Sequence, residues 1–320
     1  MQMIEDIVRY DLAIQAFSVC SALYESLRSL PPGIKKRTTE IRLRISKPVC
    51  LTLMKPYENI ALPCETVPCE NDINEIVYNI CESSFYSYQD DINNGYITSK
   101  GGHRLGLAGS MSYNGNGKLC MKNIHSANLR IAREIKGAAD PLIMLNKNEN
   151  GLFGMLLVSP PAAGKTTMLR DYARQLSDGA FQRPRRITIV DERHEIAALS
   201  AKNTFCDIGS MTDVIDGCAK ETAILTSIRS MSPEAIITDE IGSESESEAI
   251  AKAYQYGVPI VAAAHGSNMD SITNREPLLR LLNTNVIKYI VFLNDGTDPG
   301  RIQQIVRINK GKSEVIEYGN

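Results

Sequence analysis

The chain has 320 residues, of which 43% are hydrophobic and 22% are charged, and its formal net charge is −2. This composition is ordinary for a globular protein with a hydrophobic core, and the length favours two domains. The small net charge gives no whole-chain attraction to nucleic acid or anionic lipid. No apolar run approaches the roughly 20 residues that span a bilayer. The acidic N-terminus MQMIEDIVRYD is not typical of a signal peptide, so we expect a cytosolic location.

Eight cysteines are scattered along the chain without a C-x-x-C pair, and the four histidines lie far apart. Cys64 and Cys69 could be two ligands of a metal site, but a second pair with matching spacing is missing. We therefore predict reduced structural thiols.

The first 140 residues or so mix helix and strand patterns, which predicts an α+β domain. The predicted elements are a helix over 6–30 that stops at Pro31-Pro32-Gly33, a half-buried strand over 40–53, a helix over 71–88 capped by Asn71 or Asp72, a hairpin over 95–111 that turns at Gly101-Gly102, a second turn over 113–121 and a strand over 128–135. The segment KGAADP, residues 136–141, is the best candidate for a linker.

From Pro141 onward, near-continuous apolar strands alternate with amphipathic helices. The predicted strands are 153–159, 185–192, 235–242, 259–267, 289–295, 301–308 and 313–318. The predicted helices are 165–176, 213–231, 245–257 and one that runs through 278–282. This alternation predicts a parallel sheet covered by helices on both faces. Ligands of such sheets bind at the carboxyl ends of the strands.

Residues 156–176, LLVSPPAAGKTTMLRDYARQL, join an apolar strand, a loop of small residues and a helical pattern. The loop nearly matches the phosphate-binding pattern G-x-x-x-x-G-K-[ST]. Ser159 replaces the first glycine, and Ala162 stands where a third glycine is common. We expect a serine there to cost roughly 1 kcal/mol in strained backbone. The stiff Pro160-Pro161 pair would offset that cost.

The second half of the loop carries the chemistry of a phosphate site. Gly164 stands where the backbone passes close to a phosphate, Lys165 would reach the β- and γ-phosphates, and Thr166 would offer its hydroxyl to Mg²⁺. The helix that begins near Lys165 adds its N-terminal amides. The predicted nucleotide-binding residues are Ser159, Pro160, Pro161, Ala162, Ala163, Gly164, Lys165, Thr166 and Thr167.

Two predicted strands end in acidic residues. In AIITDEIG, Asp239 would hold Mg²⁺ through water and Glu240 would polarise the attacking water. The strand RRITIVDE ends in Asp191 and Glu192, with Glu195 shortly after, and an acid there competes for the role of base. A solvated charged turn is the alternative at either strand end.

A fourth strand, PIVAAAHGS, places His265 at its end. A lone histidine is more often structural than catalytic. At this position, we predict that His265 senses the γ-phosphate and couples the loss of that phosphate to a movement of the protein.

Four motifs, in this order along the chain, resemble the stage III sporulation protein AA family: SPPAAGKTT, TIVDERHEI, IRSMSPEAIITDEIG and AAAHGS. The resemblance continues through EIRLR, GYITSKGGHRLGLAG and NLRIAREIKG, and it covers most of residues 40–270. That family is similar to the hexameric secretion ATPases of type II secretion and type IV pilus systems. The resemblance implies that Ser159 is a usual residue of the family. It also implies that Glu240 is the Walker B glutamate and His265 the histidine of the histidine box.

Two positions depart from the pattern of the secretion ATPases. Their acidic box reads Thr-Ile-Glu-Asp followed by proline, whereas this chain has Val190 at that glutamate and Glu192 at that proline. Glu192 is the acid that we favour there, with Asp191 and Glu195 as the alternatives. Asp239 stands where the secretion enzymes often carry glycine, so this chain has the more complete magnesium site.

The resemblance also implies that arginines of the first domain complete the site, and the matching candidates are Arg104, Arg130 and Arg133. An arginine near the γ-phosphate stabilises transition-state charge, with effects on the order of 10³ in rate. Arg229 precedes the Walker B strand and is a candidate reader of the nucleotide state within the core. A solvated position on a strand face is the alternative for each.

Together these features predict an α/β protein with a RecA-type P-loop NTPase core over 138–320 and a smaller α+β N-terminal domain over 1–137. The predicted activity is hydrolysis of ATP with Mg²⁺. The resemblance implies a homo-hexamer on the mother-cell side of a sporulation membrane channel, docked to the membrane through partner proteins. A nucleic-acid-dependent motor and a nucleotide-binding assembly scaffold remain as alternatives, and the net charge counts against nucleic acid as a partner.

Overall fold

The computed structural model describes residues 2–54, 56–62, 67–81, 88–99, 101–113, 117, 119–132, 135–161, 163–192, 194–197, 199–200, 203–204, 206–294, 300–309 and 312–316. The chain forms two compact units. The first unit comprises residues 1–133 and 198–206, and the second comprises residues 134–197 and 207–320.

The α-helices and β-strands have the following bounds, numbered in chain order. The helices are α1 (Gln2–Ile14), α2 (Ser21–Arg28), α3 (Pro32–Arg37), α4 (Glu70–Ile80), α5 (Gln89–Asn93), α6 (Asp140–Glu149), α7 (Lys165–Ser177), α8 (Lys220–Ser230), α9 (Glu244–Gln255), α10 (Met269–Thr273) and α11 (Glu276–Asn283). The strands are β1 (Thr38–Arg44), β2 (Lys47–Leu53), β3 (Glu58–Ala61), β4 (Tyr96–Ser99), β5 (His103–Tyr113), β6 (Leu119–Arg130), β7 (Met155–Ser159), β8 (Ile187–Asp191), β9 (Leu199–Ser200), β10 (Asn203–Thr204), β11 (Thr212–Asp216), β12 (Ala235–Glu240), β13 (Ile260–His265), β14 (Tyr289–Leu293), β15 (Ile302–Asn309) and β16 (Lys312–Ile316).

The first unit is built on an antiparallel sheet with the strand order β3-β2-β1-β6-β5-β4. Because side chains alternate between the two faces of a strand, Ile41 and Leu43 enter the hydrophobic core while Arg42 lies on the other face. On that second face, Arg130 of β6 is directly opposite both Glu40 of β1 and Arg104 of β5.

Several elements of the first unit differ from those predicted from the sequence. The helix predicted over 6–30 ends at Ile14, and α2 begins only at Ser21. The strand predicted over 40–53 is the hairpin β1–β2, whose turn is made possible by Ser46 at φ 60°. The N-cap position of α4 is occupied by Cys69 rather than by Asn71 or Asp72, and Asp72 takes part in the capping box by accepting a hydrogen bond from the amide of Cys69 at 2.7 Å.

The predicted hairpin between β4 and β5 is confirmed, with Gly101 and Gly102 in its turn at φ 85° and 74°. The strand predicted over 128–135 ends at Arg130 and forms the end of the longer β6. Among the described residues the cysteines form no disulfide, which agrees with the predicted reduced thiols, and Cys64 lies outside the described residues.

The second unit contains an eight-stranded sheet with the order β11-β8-β12-β13-β7-β14-β15-β16. The strands from β11 to β14 are parallel, and β15 and β16 add two antiparallel strands. Both faces are covered by helices, as the near-continuous apolar strands predicted. In this order β7, β13 and β12 are neighbours, so the residues that follow their carboxyl ends lie at one edge of the sheet.

One element of the second unit was predicted wrongly. The helix predicted over 213–231 begins only at Lys220, because residues Thr212–Asp216 form the edge strand β11 that pairs in parallel with β8. The remaining predicted strands and helices of this unit are present. Among the described residues, no helix combines the length and the apolar character needed to cross a membrane.

Candidate functional site

The phosphate-binding pattern forms the connection between β7 and α7. β7 ends at Ser159, and α7 begins at Lys165. Gly164 precedes the helix with φ 95° and ψ 7°, a left-handed conformation that suits glycine. The first amides of α7 have no partner within the helix, so the loop presents donors for an anion.

The ammonium group of Lys165 lies against this loop. Its Nζ atom donates hydrogen bonds to the carbonyl oxygen of Ser159 at 2.8 Å, to Ser159 Oγ at 3.0 Å and to the carbonyl oxygen of Pro160 at 3.0 Å. Burial lowers the pKa of Lys165, and the charge of Glu240 offsets part of that effect. A half-buried cation whose three hydrogen-bond acceptors are neutral oxygens is a suitable partner for an incoming phosphate.

Ser159 is fully buried and does not have a positive φ, so the expected backbone strain at this position is absent. Its hydroxyl donates to the carbonyl oxygen of Pro160 at 2.9 Å and accepts the bond from Lys165. The residue that replaces the first glycine therefore forms part of the resting site of the lysine. A glycine cannot provide that contact.

The other predicted residues of the phosphate loop differ in burial. Pro160 is half-buried, Pro161 is exposed and Ala163 is buried. Ala162 lies outside the described residues. The half-buried side chains of Thr166 and Thr167 belong to the first turn of α7.

Glu240 and His265 meet at the carboxyl ends of β12 and β13. His265 Nε2 lies 3.3 Å from Glu240 Oε2, and the two side chains are 38% and 34% exposed. His265 is in register with Ser159 of β7, so the histidine lies beside the strand that carries the phosphate loop. The structure thus brings together Lys165, Glu240 and His265, as the sequence predicted for the carboxyl edge of the sheet.

Asp239 has a different environment from its neighbour Glu240. Its carboxylate is buried, and Oδ1 lies 2.7 Å from Nζ of Lys220, the first residue of α8. Burial raises the pKa of Asp239 to about 6, although the Lys220 charge acts in the opposite direction. The pairing of β12 with β13 shifts register between Ile237 and Glu240, so the two acids stand at an irregularity of the strand.

Lys220 and Glu246 are site residues that the sequence analysis did not identify. Lys220 Nζ lies 3.2 Å from Glu246 Oε1 and 3.8 Å from Glu192 Oε2, and it donates to the main-chain carbonyl oxygen of Glu240. Glu246 Oε2 accepts hydrogen bonds from the amides of Gly242 and Ser243, both at 2.8 Å. The spacing Ser243-x-x-Glu246 is the signature of a capping box, so this part was visible in the sequence. Lys220 gave no such signal.

The residues of the acidic box do not play equivalent roles. Asp191 is fully buried and accepts hydrogen bonds from the amides of Glu195, Ile196 and Ala197 at 2.9, 3.1 and 2.8 Å. Its carboxylate therefore builds the loop that follows β8. Glu192 is exposed, and it is the acid of this box that approaches Lys220.

The candidate arginines of the first unit have partners within that unit. The guanidinium of Arg104 lies 3.7 Å from the centroid of the Tyr96 ring, and Arg130 Nε lies 3.3 Å from Glu40 Oε1. Arg133 lies outside the described residues. Arg229 is exposed in the last turn of α8, which precedes the amino end of β12, so it is not placed at the carboxyl edge of the sheet.

The chemistry of these groups fits a nucleoside triphosphate with Mg²⁺. The cation of Lys165 and the amides at the amino end of α7 are the groups that would bind the phosphates. Among the described residues, no group of three or more His, Cys, Asp or Glu side chains forms a metal site alone. Mg²⁺ is commonly held by few protein ligands together with phosphate oxygens and water, which suits the Thr166 hydroxyl in the first turn of α7.

Known proteins resemble this chain in sequence and in fold. The model of the family "Sporulation stage III, protein AA" matches residues 24–313. Stage III sporulation protein AA of Bacillus subtilis (strain 168) is 33% identical over 285 residues, which are 89% of this chain and 91% of that protein. The solved ATPase DotB of Yersinia pseudotuberculosis has a TM-score of 0.52 at 14% identity, covering 80% of this chain and 70% of that chain. The pilus retraction motor PilT, solved with bound ADP, has a TM-score of 0.50 at 13% identity, covering 80% and 74%.

The two solved structures show the fold, and they confirm the predicted class of a P-loop NTPase core with a smaller N-terminal domain. The family match extends over most of the chain and includes both units. This chain belongs to the sporulation stage III protein AA family.

Proposed function

We propose that this protein is a Mg²⁺-dependent ATPase that converts ATP and water to ADP and phosphate. The observation that carries the proposal is the placement of Lys165, Glu240 and His265 after three neighbouring parallel strands. A phosphate-binding cation, a candidate base and a polar partner of that base lie at the edge where such sheets bind ligands.

Each residue has a chemical role in this proposal. Lys165 leaves the carbonyl oxygens of the loop and binds the β- and γ-phosphates, and the first amides of α7 bind phosphate oxygens. The Glu240 carboxylate accepts a proton from the attacking water. His265 holds the Glu240 carboxylate through the contact at 3.3 Å and responds to the γ-phosphate. Bound Mg²⁺ supplies positive charge at the phosphates, with Thr166 and, through water, Asp239 as the proposed protein ligands.

We propose that arginines of the first unit stabilise the negative charge that develops on the phosphates in the transition state. The proposed residues are Arg104, Arg130 and Arg133, and the resemblance to secretion ATPases supports them. Arg104 and Arg130 are directly opposite each other on one face of the sheet, and Arg130 is paired with Glu40 of the neighbouring strand. Glu192 is the proposed secondary acid, since Asp191 is committed to the loop after β8.

In its biological role, the proposed ATPase works as a homo-hexamer that powers or assembles a sporulation membrane channel between mother cell and forespore. Membership of the family supports the link to sporulation. The resemblance to secretion ATPases supports the hexamer. The proposed location is the mother-cell cytoplasm, at the membrane surface, through contacts with membrane proteins of the channel.

Hydrolysis of Mg-ATP measured against protein concentration, with the oligomeric state sized in parallel, tests the proposal. The expected result is turnover that rises steeply as oligomers form. Binding of nucleotide without turnover at any concentration would instead identify an assembly scaffold. Strong, salt-sensitive stimulation by single-stranded nucleic acid would identify a nucleic-acid motor.

A further inference from the structure

We propose that Lys220 is a positioning residue for the proposed ATPase, holding the carboxyl end of β12 in the place where Glu240 can act. The inference rests on the proposed function, because it assumes that Glu240 takes part in hydrolysis. Lys220 is placed by α8, outside every motif that predicted the nucleotide site.

The burial of Lys220 indicates that its charge has a specific task. The residue is 5% exposed, and lysine is rarely buried this deeply unless its ammonium is paired. The ammonium of Lys220 contacts two buried carboxylates, those of Asp239 and Glu246, so its buried charge is paired.

The ammonium joins the end of β12 to the first turn of α9. It contacts Asp239 at 2.7 Å at the end of β12 and Glu246 at 3.2 Å in the first turn of α9. It also donates to the main-chain carbonyl oxygen of Glu240 itself. These contacts fix the backbone on which the Glu240 side chain is mounted.

Glu246 extends the same restraint to the loop after β12. One oxygen of its carboxylate contacts Lys220, and the other accepts hydrogen bonds from the amides of Gly242 and Ser243 at 2.8 Å. The backbone is thus held on both sides of Glu240: by the contact of Asp239 with Lys220 before it, and by the contacts of Gly242 and Ser243 with Glu246 after it. Loss of the Lys220 charge would leave two buried carboxylates without their cation, which favours movement of this segment.

The test combines Lys220→Met, which keeps the length and apolar stem of the side chain, with Glu240→Gln. We expect Lys220→Met to lower kcat at least tenfold while KM and the dissociation constant for Mg-ATP stay within about twofold of wild type. In the Glu240→Gln background, Lys220→Met should then cause little further loss in single-turnover rate, because both changes act through one group.

Two matched variants separate positioning from other effects. Lys252→Met removes an exposed lysine of α9 and should behave as wild type. Leu281→Ala, in the buried face of α11, should lower the melting temperature of the nucleotide-free protein but leave kcat per folded molecule unchanged. If Lys220→Met does not fold, Lys220→Gln takes its place, since an amide can still donate to one carboxylate.

Three results would overturn the inference: wild-type kcat in the Lys220 variant, a full additional loss in the Glu240→Gln background, or an equal loss in Leu281→Ala. Failure of the proposed function has a different signature, because the wild-type protein would then not hydrolyse Mg-ATP at all. Hydrolysis at the wild-type rate by Glu240→Gln would instead remove the assumed role of Glu240.

Discussion

The Nε2 atom of His265 lies 3.3 Å from Oε2 of Glu240, where β12 and β13 end side by side. The adjacent acid, Asp239, is instead buried against Lys220. Two consecutive carboxylates therefore have different chemistry: one is half-exposed beside the phosphate loop, and the other belongs to a buried ion pair. This difference supports Glu240 as the candidate base.

Replacement of Lys165 by alanine should abolish nearly all ATPase activity and leave the fold intact. Hydrogen bonds to charged groups contribute about 1.5–3 kcal/mol, so nucleotide affinity should weaken by about 10- to 100-fold. Isothermal titration with Mg-ATP measures this change, and Lys147→Ala, at an exposed lysine of α6, is the control. Wild-type affinity in the Lys165 variant would contradict the assignment.

Ser159→Ala removes one of the three oxygen atoms that hold the Lys165 ammonium in the nucleotide-free protein. We expect stability to fall by about 1 kcal/mol, which is a typical contribution of one buried hydrogen bond. Affinity for Mg-ATP should equal or exceed that of wild type, because the lysine then leaves fewer contacts to bind phosphate. Denaturant unfolding and nucleotide titration measure the two effects. Weaker nucleotide binding would show that the hydroxyl serves the bound state instead.

His103 should make the first unit sensitive to acid. The residue is fully buried, and burial lowers its pKa to about 3, whereas an unfolded histidine titrates near 6.5. Between these values the unfolded state binds one proton more than the folded state, so stability decreases as the pH falls below 6.5. The contribution at pH 5 is about 2 kcal/mol.

His103→Asn is the matched variant, because asparagine keeps an acceptor for the amide of Ala132, which donates to Nδ1 of His103 at 3.0 Å. Hydrogen exchange of β5 and β6 amides at pH 7 and pH 5 measures the stability of the first unit. The variant should lose less protection than wild type between the two pH values. Equal losses in the two proteins would contradict the assignment.

Arg104→Ala, Arg130→Ala and Arg133→Ala should each slow hydrolysis at least tenfold, which corresponds to about 1.4 kcal/mol in barrier height. The reason is loss of positive charge that stabilises the transition state, so nucleotide binding should change much less than turnover. Arg28→Ala, at an exposed arginine of α2, is the control. Full turnover in all three variants would remove the first unit from the mechanism.

The carboxyl edge of the core sheet was predictable because each element carries a local signal. Apolar strands end at Ser159, Glu240 and His265, and parallel strands with crossover helices bring their carboxyl ends together. The network of Lys220 was not predictable, because its partners lie 19 or more positions away in sequence and no motif links them. The edge strand β11 was also missed, since its short DVID segment fits a helical pattern as well as a strand.

Single-turnover hydrolysis of Mg-ATP by Glu240→Gln and Glu192→Gln tests the central claim most directly. Glutamine keeps the shape of the side chain and removes the base. Glu240→Gln should therefore bind Mg-ATP with wild-type affinity and hydrolyse it at least about a hundredfold more slowly than wild type. Glu192→Gln should slow turnover by less than tenfold. Wild-type turnover in Glu240→Gln, or a larger defect in Glu192→Gln, would contradict the account.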